Sequence, residues 1–298
     1  MKHRFFKMEF RVQAIVAVIT LAFMLLCPPV QAQKKTAYAI FTGKGKKSSV
    51  EKMIKKVAES DVVFFGELHN NPVAHWLQYE LVESLHQTRS LVLGAEMFEA
   101  DNQEALNNYL SGKINAKALD TLARLWPNYK TDYAPLVNFA KAKGLQFVAT
   151  NVPRRYANLV FKKDFQALDS LTDKEKSWIA PLPITYDPEL PGYAGMKTMM
   201  GGSHPSETLP KAQALKDATM AHFIAAHYSP GKLFVHFNGS YHSENYEGII
   251  WYLKRLLPEL KMTTITTVSQ ANPLKLEKEQ LNKADFVICT DENLTTTY

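Results

Sequence analysis

The sequence predicts an α/β fold, a parallel or mixed β-sheet covered by helices on both faces, and three observations predict it. Short apolar runs recur at residues 37–41, 62–65, 91–94, 145–149, 233–237, 263–268 and 286–288. Stretches of helical character lie between most of them, at 73–87, 102–110, 116–125, 134–142, 211–228 and 246–257. Runs such as Val62 to Phe65 are apolar on both faces, as strands of a doubly covered parallel sheet are, and strands alternating with helices indicate that architecture. No internal repeat is evident, and residues 33–298 read as one domain.

Residues 1–32 read as a secretory signal peptide. Lys2, Arg4, Lys7 and Arg11 precede an uncharged apolar run over 14–26, and Val30-Gln31-Ala32 offers small residues for cleavage before Gln33. The run falls short of the ~20 apolar residues that span a bilayer. Cys27 would allow lipid anchoring at the outer membrane, but Leu26 is bulky where a lipoprotein signal wants a small residue, so release into the periplasm is expected. Removal of this segment takes away four basic residues and one acidic residue, and the formal charge falls from +6 to +3. Such a mild excess gives no warrant for nucleic acid as a partner. The lysines between Lys44 and Lys56 read as a solvated face. Cys289 alone then remains, which excludes an intramolecular disulfide and a cysteine-based zinc site.

The strand at 62–65 stops abruptly in Gly66-Glu67-Leu68-His69. Asn71 then supplies an N-cap and Pro72 a first-turn proline, so 73–87 is predicted helical, with Val73, Leu77, Leu81 and Leu85 on a buried stripe. Residues 181–210 break the pattern. Six prolines and four glycines there predict a long Pro/Gly-rich loop over one edge of the sheet, with Tyr186, Tyr193, Met196, Met199, Met200 and His204 giving it apolar and polarizable surface.

In a parallel sheet the carboxyl ends of the strands share one edge, and ligands bind there. The strand at 62–65 is followed by Glu67 and His69, that at 91–94 by Glu96, that at 145–149 by Asn151 and Arg154, and that at 233–237 by Asn238, Gly239 and His242. Two histidines, two carboxylates and a guanidinium in one cleft have the donor types for a divalent metal or for acid–base work. Read singly, Glu96 is a salt-bridged carboxylate and Arg154 a surface charge at a helix start. His75 could point back at the cleft or sit buried and hydrogen-bonded, and His222, His227 and His236 read as structural. Gly66-Glu67-Leu68-His69 and Gly239-Ser240-Tyr241-His242 both read Gly-x-x-His after an apolar strand, which sharpens the convergence.

At these residues the chain resembles the ChaN-like haem-binding proteins, in the superfamily that includes the Tiki metalloproteases and erythromycin esterase-like enzymes. The resemblance takes in Phe65 to His69, Leu93 to Phe98, Tyr133 to Leu136, Ala149 to Arg154, Gln213 to Ala221 and Asn238 to His242. It implies an exported or lipid-anchored bacterial protein of haem and iron acquisition, holding haem at a homodimer interface with a tyrosine on the iron and basic or histidine side chains on the propionates. Haem-transport proteins of the cell envelope would be its partners. Tyr186 and Tyr193 are the tyrosines in the Pro/Gly-rich loop. Tyr193, Met196, Met199, Met200 and His204 are expected as walls or axial donor, with Lys197 or Arg155 as propionate partner.

A second expectation, of a different class, is a metal-dependent hydrolase. His69, His242, Glu67 and Glu96 would hold one divalent ion with a bound water, and Arg154 would stabilise the oxyanion. A metal-free variant has His69 as general base, oriented by Glu67 or Glu96.

Overall fold

The computed structural model describes residues 35–197 and 207–298. The segment 1–32 with Cys27, and the loop residues Met199, Met200 and His204, lie outside them. From Thr36 to Tyr298 the chain forms one unit.

Each of the seven apolar runs becomes a strand, and a short polar strand, β2, joins them: β1 (Tyr38–Thr42), β2 (Lys47–Ser48), β3 (Val62–Glu67), β4 (Leu91–Glu99), β5 (Gln146–Asn151), β6 (Leu233–Gly239), β7 (Met262–Gln270) and β8 (Phe286–Asp291). They form one sheet in the order β2-β1-β8-β7-β3-β6-β4-β5. The six strands from β3 to β8 pair in parallel, whereas β1 runs antiparallel to β8 and β2 antiparallel to β1, so the sheet is mixed.

The helices are α1 (Val50–Val57), α2 (Pro72–His86), α3 (Gln103–Leu110), α4 (Ala116–Leu122), α5 (Ala134–Lys143), α6 (Arg154–Lys163), α7 (Asp173–Lys176), α8 (Pro191–Met196), α9 (Thr208–His227) and α10 (Ile249–Leu256). Side chains alternate along β3. Val63 and Phe65 enter a core with Leu77, Leu81 and Leu85 of α2. Val62 and Phe64 enter the opposite core, with Ala221 and Ile224 of α9 and Leu253 of α10. Both faces are therefore dry, which is why the run carries no polar alternation; each such large apolar side chain contributes about 1.5–3 kcal/mol by burial.

Asn71 caps α2 as expected, its side-chain oxygen accepting from Ala74 N at 3.0 Å, and Pro72 opens the helix. Two expected helices are trimmed. The one at 116–125 ends at Leu122. The one at 246–257 begins only at Ile249, because Asn245 and Tyr246 have left-handed φ of 57° and 61°. In the Pro/Gly-rich segment a short helix, α8, forms nonetheless, opened by Pro191.

Candidate functional site

The strand order puts β6 between β3 and β4, so three carboxyl ends lie side by side. Glu67 is in register with Gly239, and Ala95 with Phe237. The β4–β5 register shifts between Ala95 and Glu99, an irregularity of the kind that re-aims side chains beside functional sites, and Glu96 falls within it. A cleft of about 1090 Å³ opens over these ends, its lining including Arg124, Trp126, Arg154, Lys216 and Tyr241. Glu67, His69, Glu96, Arg154 and His242, all named from the sequence, line it.

On the β3 side, Glu67 is buried and accepts three hydrogen bonds: from Gln78 Nε2 at 2.5 Å, from the Tyr133 hydroxyl at 2.8 Å and from His69 Nδ1 at 2.9 Å. This last bond fixes the ring of His69 so that Nε2 faces the cleft. Gly239 leaves the room, since a methyl group there would stand 2.7 Å from His69 Nε2. The His69 ring packs edge-on to Trp126 at 4.8 Å, and its backbone carbonyl is held by Asn128 Nδ2 at 3.0 Å and His75 Nε2 at 3.2 Å. His75 is thus a buried histidine with a partner, its Nδ1 3.5 Å from Glu67 Oε2 and its Nε2 3.5 Å from Asp132 Oδ2, and it does not line the cleft. Burial disfavours a charge on His69, but the hydrogen bond to Glu67 and the charges of Glu96 and Glu67 outweigh it and raise its pKa.

On the β6 side, His242 is buried with a carboxylate at each ring nitrogen. Nδ1 stands 2.5 Å from Asp217 Oδ1 and Nε2 3.2 Å from Glu96 Oε1. Glu96 Oε2 accepts the Gly239 N–H at 2.8 Å, and Asp217 Oδ2 accepts the Tyr193 hydroxyl at 2.7 Å. Burial opposes the charge, yet Glu96 and Asp217 push the His242 pKa up to about 10. The same burial opposes ionisation of Glu96, and the charge and hydrogen bond of His242 reverse it, holding the carboxyl well below the usual range. His236, beneath them, accepts at Nε2 from Thr150 Oγ1 and donates from Nδ1 to Asn238 Oδ1; burial lowers its pKa to about 4, and it is structural, as expected.

The expected metal set does not assemble. Among the described residues no group of three or more His, Cys, Asp or Glu side chains is placed to hold a metal ion. The donors of Glu67, His69, Glu96 and His242 are spent largely on one another and on Tyr133, Gln78, Gly239 and Asp217, which residue types alone do not reveal.

The loop expectations also fall elsewhere. Tyr193 is 2% exposed with its hydroxyl on Asp217, Met196 is buried, and the Tyr186 ring packs 5.8 Å from that of Tyr193. Lys197 lies 3.7 Å from Glu207, and Arg155 donates to Asp101 at 2.6 Å and to the Tyr156 hydroxyl at 2.9 Å. None of these five lines the cleft. Apolar side chains in a loop suit a ligand or the interior equally, and Tyr193 and Met196 fill the interior. Sequence reasoning missed Asp217, Gln78, Tyr133, Trp126 and Lys216. Asp217 and Lys216 stand within the block 213–221, and Tyr133 opens the block 133–136, both of which carried the resemblance, the one signal that could have drawn attention to them.

The chain is a doubly covered mixed α/β protein with a cleft at the carboxyl edge of its sheet, the place where open α/β sheets bind ligands. A family model described as "Haem-binding uptake, Tiki superfamily, ChaN" matches residues 53–253, and the chain belongs to this family. A solved structure of ChaN of Campylobacter jejuni, described as showing cofacial haem binding, superposes with a TM-score of 0.64 at 19% identity, covering 86% of this chain and 98% of that one. An erythromycin esterase in an open conformation gives a TM-score of 0.47 at 10% identity, covering 86% and 98%. The chloroplastic protein RETICULATA-RELATED 5 of Arabidopsis thaliana is 26% identical over 147 residues, 47% of this chain but only 19% of that protein.

Proposed function

We propose that this chain binds haem in the carboxyl-edge cleft. The observation that carries the reading is the lining itself, in a chain of this family. Haem needs apolar walls, an axial donor and cations for two carboxylates. Leu125, Trp126, Pro127 and Val152 offer the walls. Arg154 and Lys216 offer cations for the propionates, and His69 Nε2 a ring nitrogen. Of the lining tyrosines, Tyr241 gives its hydroxyl proton to Gly192 O, while Tyr298 is 67% exposed and is the phenol open to a ligand. The iron supplies Lewis acidity and redox chemistry when haem is present; the residues named here bind and orient it.

The proposal includes export, supported by the basic and apolar pattern of residues 1–32, and a role in iron acquisition, supported by the family's description as an uptake protein. It also includes pairing of two chains with their haems face to face, by analogy with the Campylobacter jejuni relative. No helix among the described residues is long and apolar enough to cross a membrane.

The test is a hemin titration of the chain from Gln33 onward, followed in the Soret region and at the charge-transfer bands, with hydrodynamic size recorded before and after. A saturable new spectrum with high-spin ferric bands and a doubling in size is expected. A weak, non-saturating change would overturn haem as the ligand.

One observation favours a second reading. The Glu67–His69 bond of 2.9 Å, with the His69 side chain 32% exposed at the cleft, is the arrangement of an oriented general base. Metal-free hydrolysis of an ester, lost in His69→Ala, would support it; no turnover above the His69→Ala background would remove it.

A further inference from the structure

The two Gly-x-x-His motifs look equivalent in sequence and end in unlike surroundings. His69 has one ring nitrogen on Glu67 and turns the other to the cleft. His242 has no nitrogen to spare. Both of its neighbours, Asp217 and Glu96, are carboxylates that accept and do not donate when ionised, so both ring nitrogens must carry protons for both contacts to hold. A ring flanked in this way cannot turn over to any advantage.

Asp217 is held in turn. It lies on α9, 1% exposed, with Oδ2 on the Tyr193 hydroxyl. Tyr193 belongs to α8, and the residue before it in that helix is fixed at both backbone groups: Gly192 N donates to Glu247 Oε2 at 2.7 Å and Gly192 O accepts from Tyr241. The chain Tyr193–Asp217–His242–Glu96 therefore runs from α8 to the cleft floor and ends at the Gly239 backbone, the position where a side chain would displace His69.

We propose that Asp217 is a positioning residue of the cleft: it locks His242 as a double hydrogen-bond donor, which fixes the Glu96 carboxylate on the floor and leaves His69 as the motif histidine that meets the ligand. His242 is then a buried strut, neither ligand nor base. The inference rests on the cleft being the ligand site, and Tyr193 enters as the anchor of Asp217.

The test reads ring nitrogens directly. Two-bond proton–nitrogen spectra of the histidine side chains are recorded at neutral pH on the ligand-free chain from Gln33 onward, for the wild type, Asp217→Asn and Tyr193→Phe, followed by hemin titrations of each. In the wild type His242 should show a doubly protonated ring with a far-downfield Nδ1–H proton, as a short charge-assisted bond produces. In Asp217→Asn that proton should move upfield or vanish while the His69 signals stay, and hemin should bind about tenfold more weakly, because the Glu96 carboxylate on the cleft floor loses its fixed partner. Tyr193→Phe keeps the ring packing and should shift the same proton alone, so it carries the test should Asp217→Asn fail to fold. A neutral His242 ring in the wild type, an unmoved Nδ1–H proton in a folded variant, or unchanged hemin affinity in Asp217→Asn overturns the proposal. Because the ring spectra need no ligand, a wild type that fails to bind hemin counts against the haem reading and not against the lock.

Discussion

Substituting Glu67 separates its structural from its electrostatic work. The carboxylate is 1% exposed and takes hydrogen bonds from Gln78 Nε2, the Tyr133 hydroxyl and His69 Nδ1. Glu67→Ala leaves the Gln78 and Tyr133 donors unpaired where water does not reach. Each such donor costs about 1–3 kcal/mol, so a loss of roughly 2–6 kcal/mol is expected. His69 adds little, because its 32% exposed side chain can turn to solvent. Glu67→Gln keeps an oxygen for Tyr133 and presents an amide where Gln78 now donates. Gln78 Oε1 has no partner in the present arrangement, so a half-turn of the Gln78 amide restores a bond, and the cost falls to about 1 kcal/mol. Urea unfolding followed by circular dichroism measures both, as a lower midpoint at unchanged slope. Glu67→Ala within about 1 kcal/mol of wild type, or Glu67→Gln as costly as Glu67→Ala, would refute the reasoning.

Three further outcomes are expected. Gly239→Ala places its methyl group 2.7 Å from His69 Nε2 and 2.9 Å from Cε1, so the ring must swing away from Glu67; hemin affinity should fall roughly tenfold with little change in melting temperature, read by titration beside a thermal melt. His236 is neutral in the fold, with its pKa lowered to about 4 from 6.5, so the unfolded chain takes the proton first. Stability should therefore drop as pH falls below 6.5 and level off below about 4, by roughly 3 kcal/mol in all, and His236→Gln should flatten that part of a melting-temperature profile. Arg154→Ala with Lys216→Ala should weaken hemin binding by roughly 0.2–1 kcal/mol per charge and make it less sensitive to salt, measured by titrations at two ionic strengths.

The strands were legible because both faces of the sheet are covered: a strand such as β3 must then be apolar throughout, and its end is marked by a glycine and the first charged side chain, Gly66 and Glu67. The five cleft residues followed from one rule, that parallel strands end on a common edge. What stayed hidden depends on long-range pairing. Asp217, inside the helical run at 211–228, has the pattern of a solvated helix charge until α9 is laid against the sheet and the acid turns inward to His242. Tyr193 and Met196 advertised apolar surface without saying which way it faced, and it faces in. The strand order matters most. A helix connection can carry the chain to either side of β3, and periodicity does not choose; only with β6 between β3 and β4 do Glu67, Gly239 and Glu96 fall in a row. The residue between the two carboxylates is then a glycine, and the space its missing side chain leaves is where His69 stands.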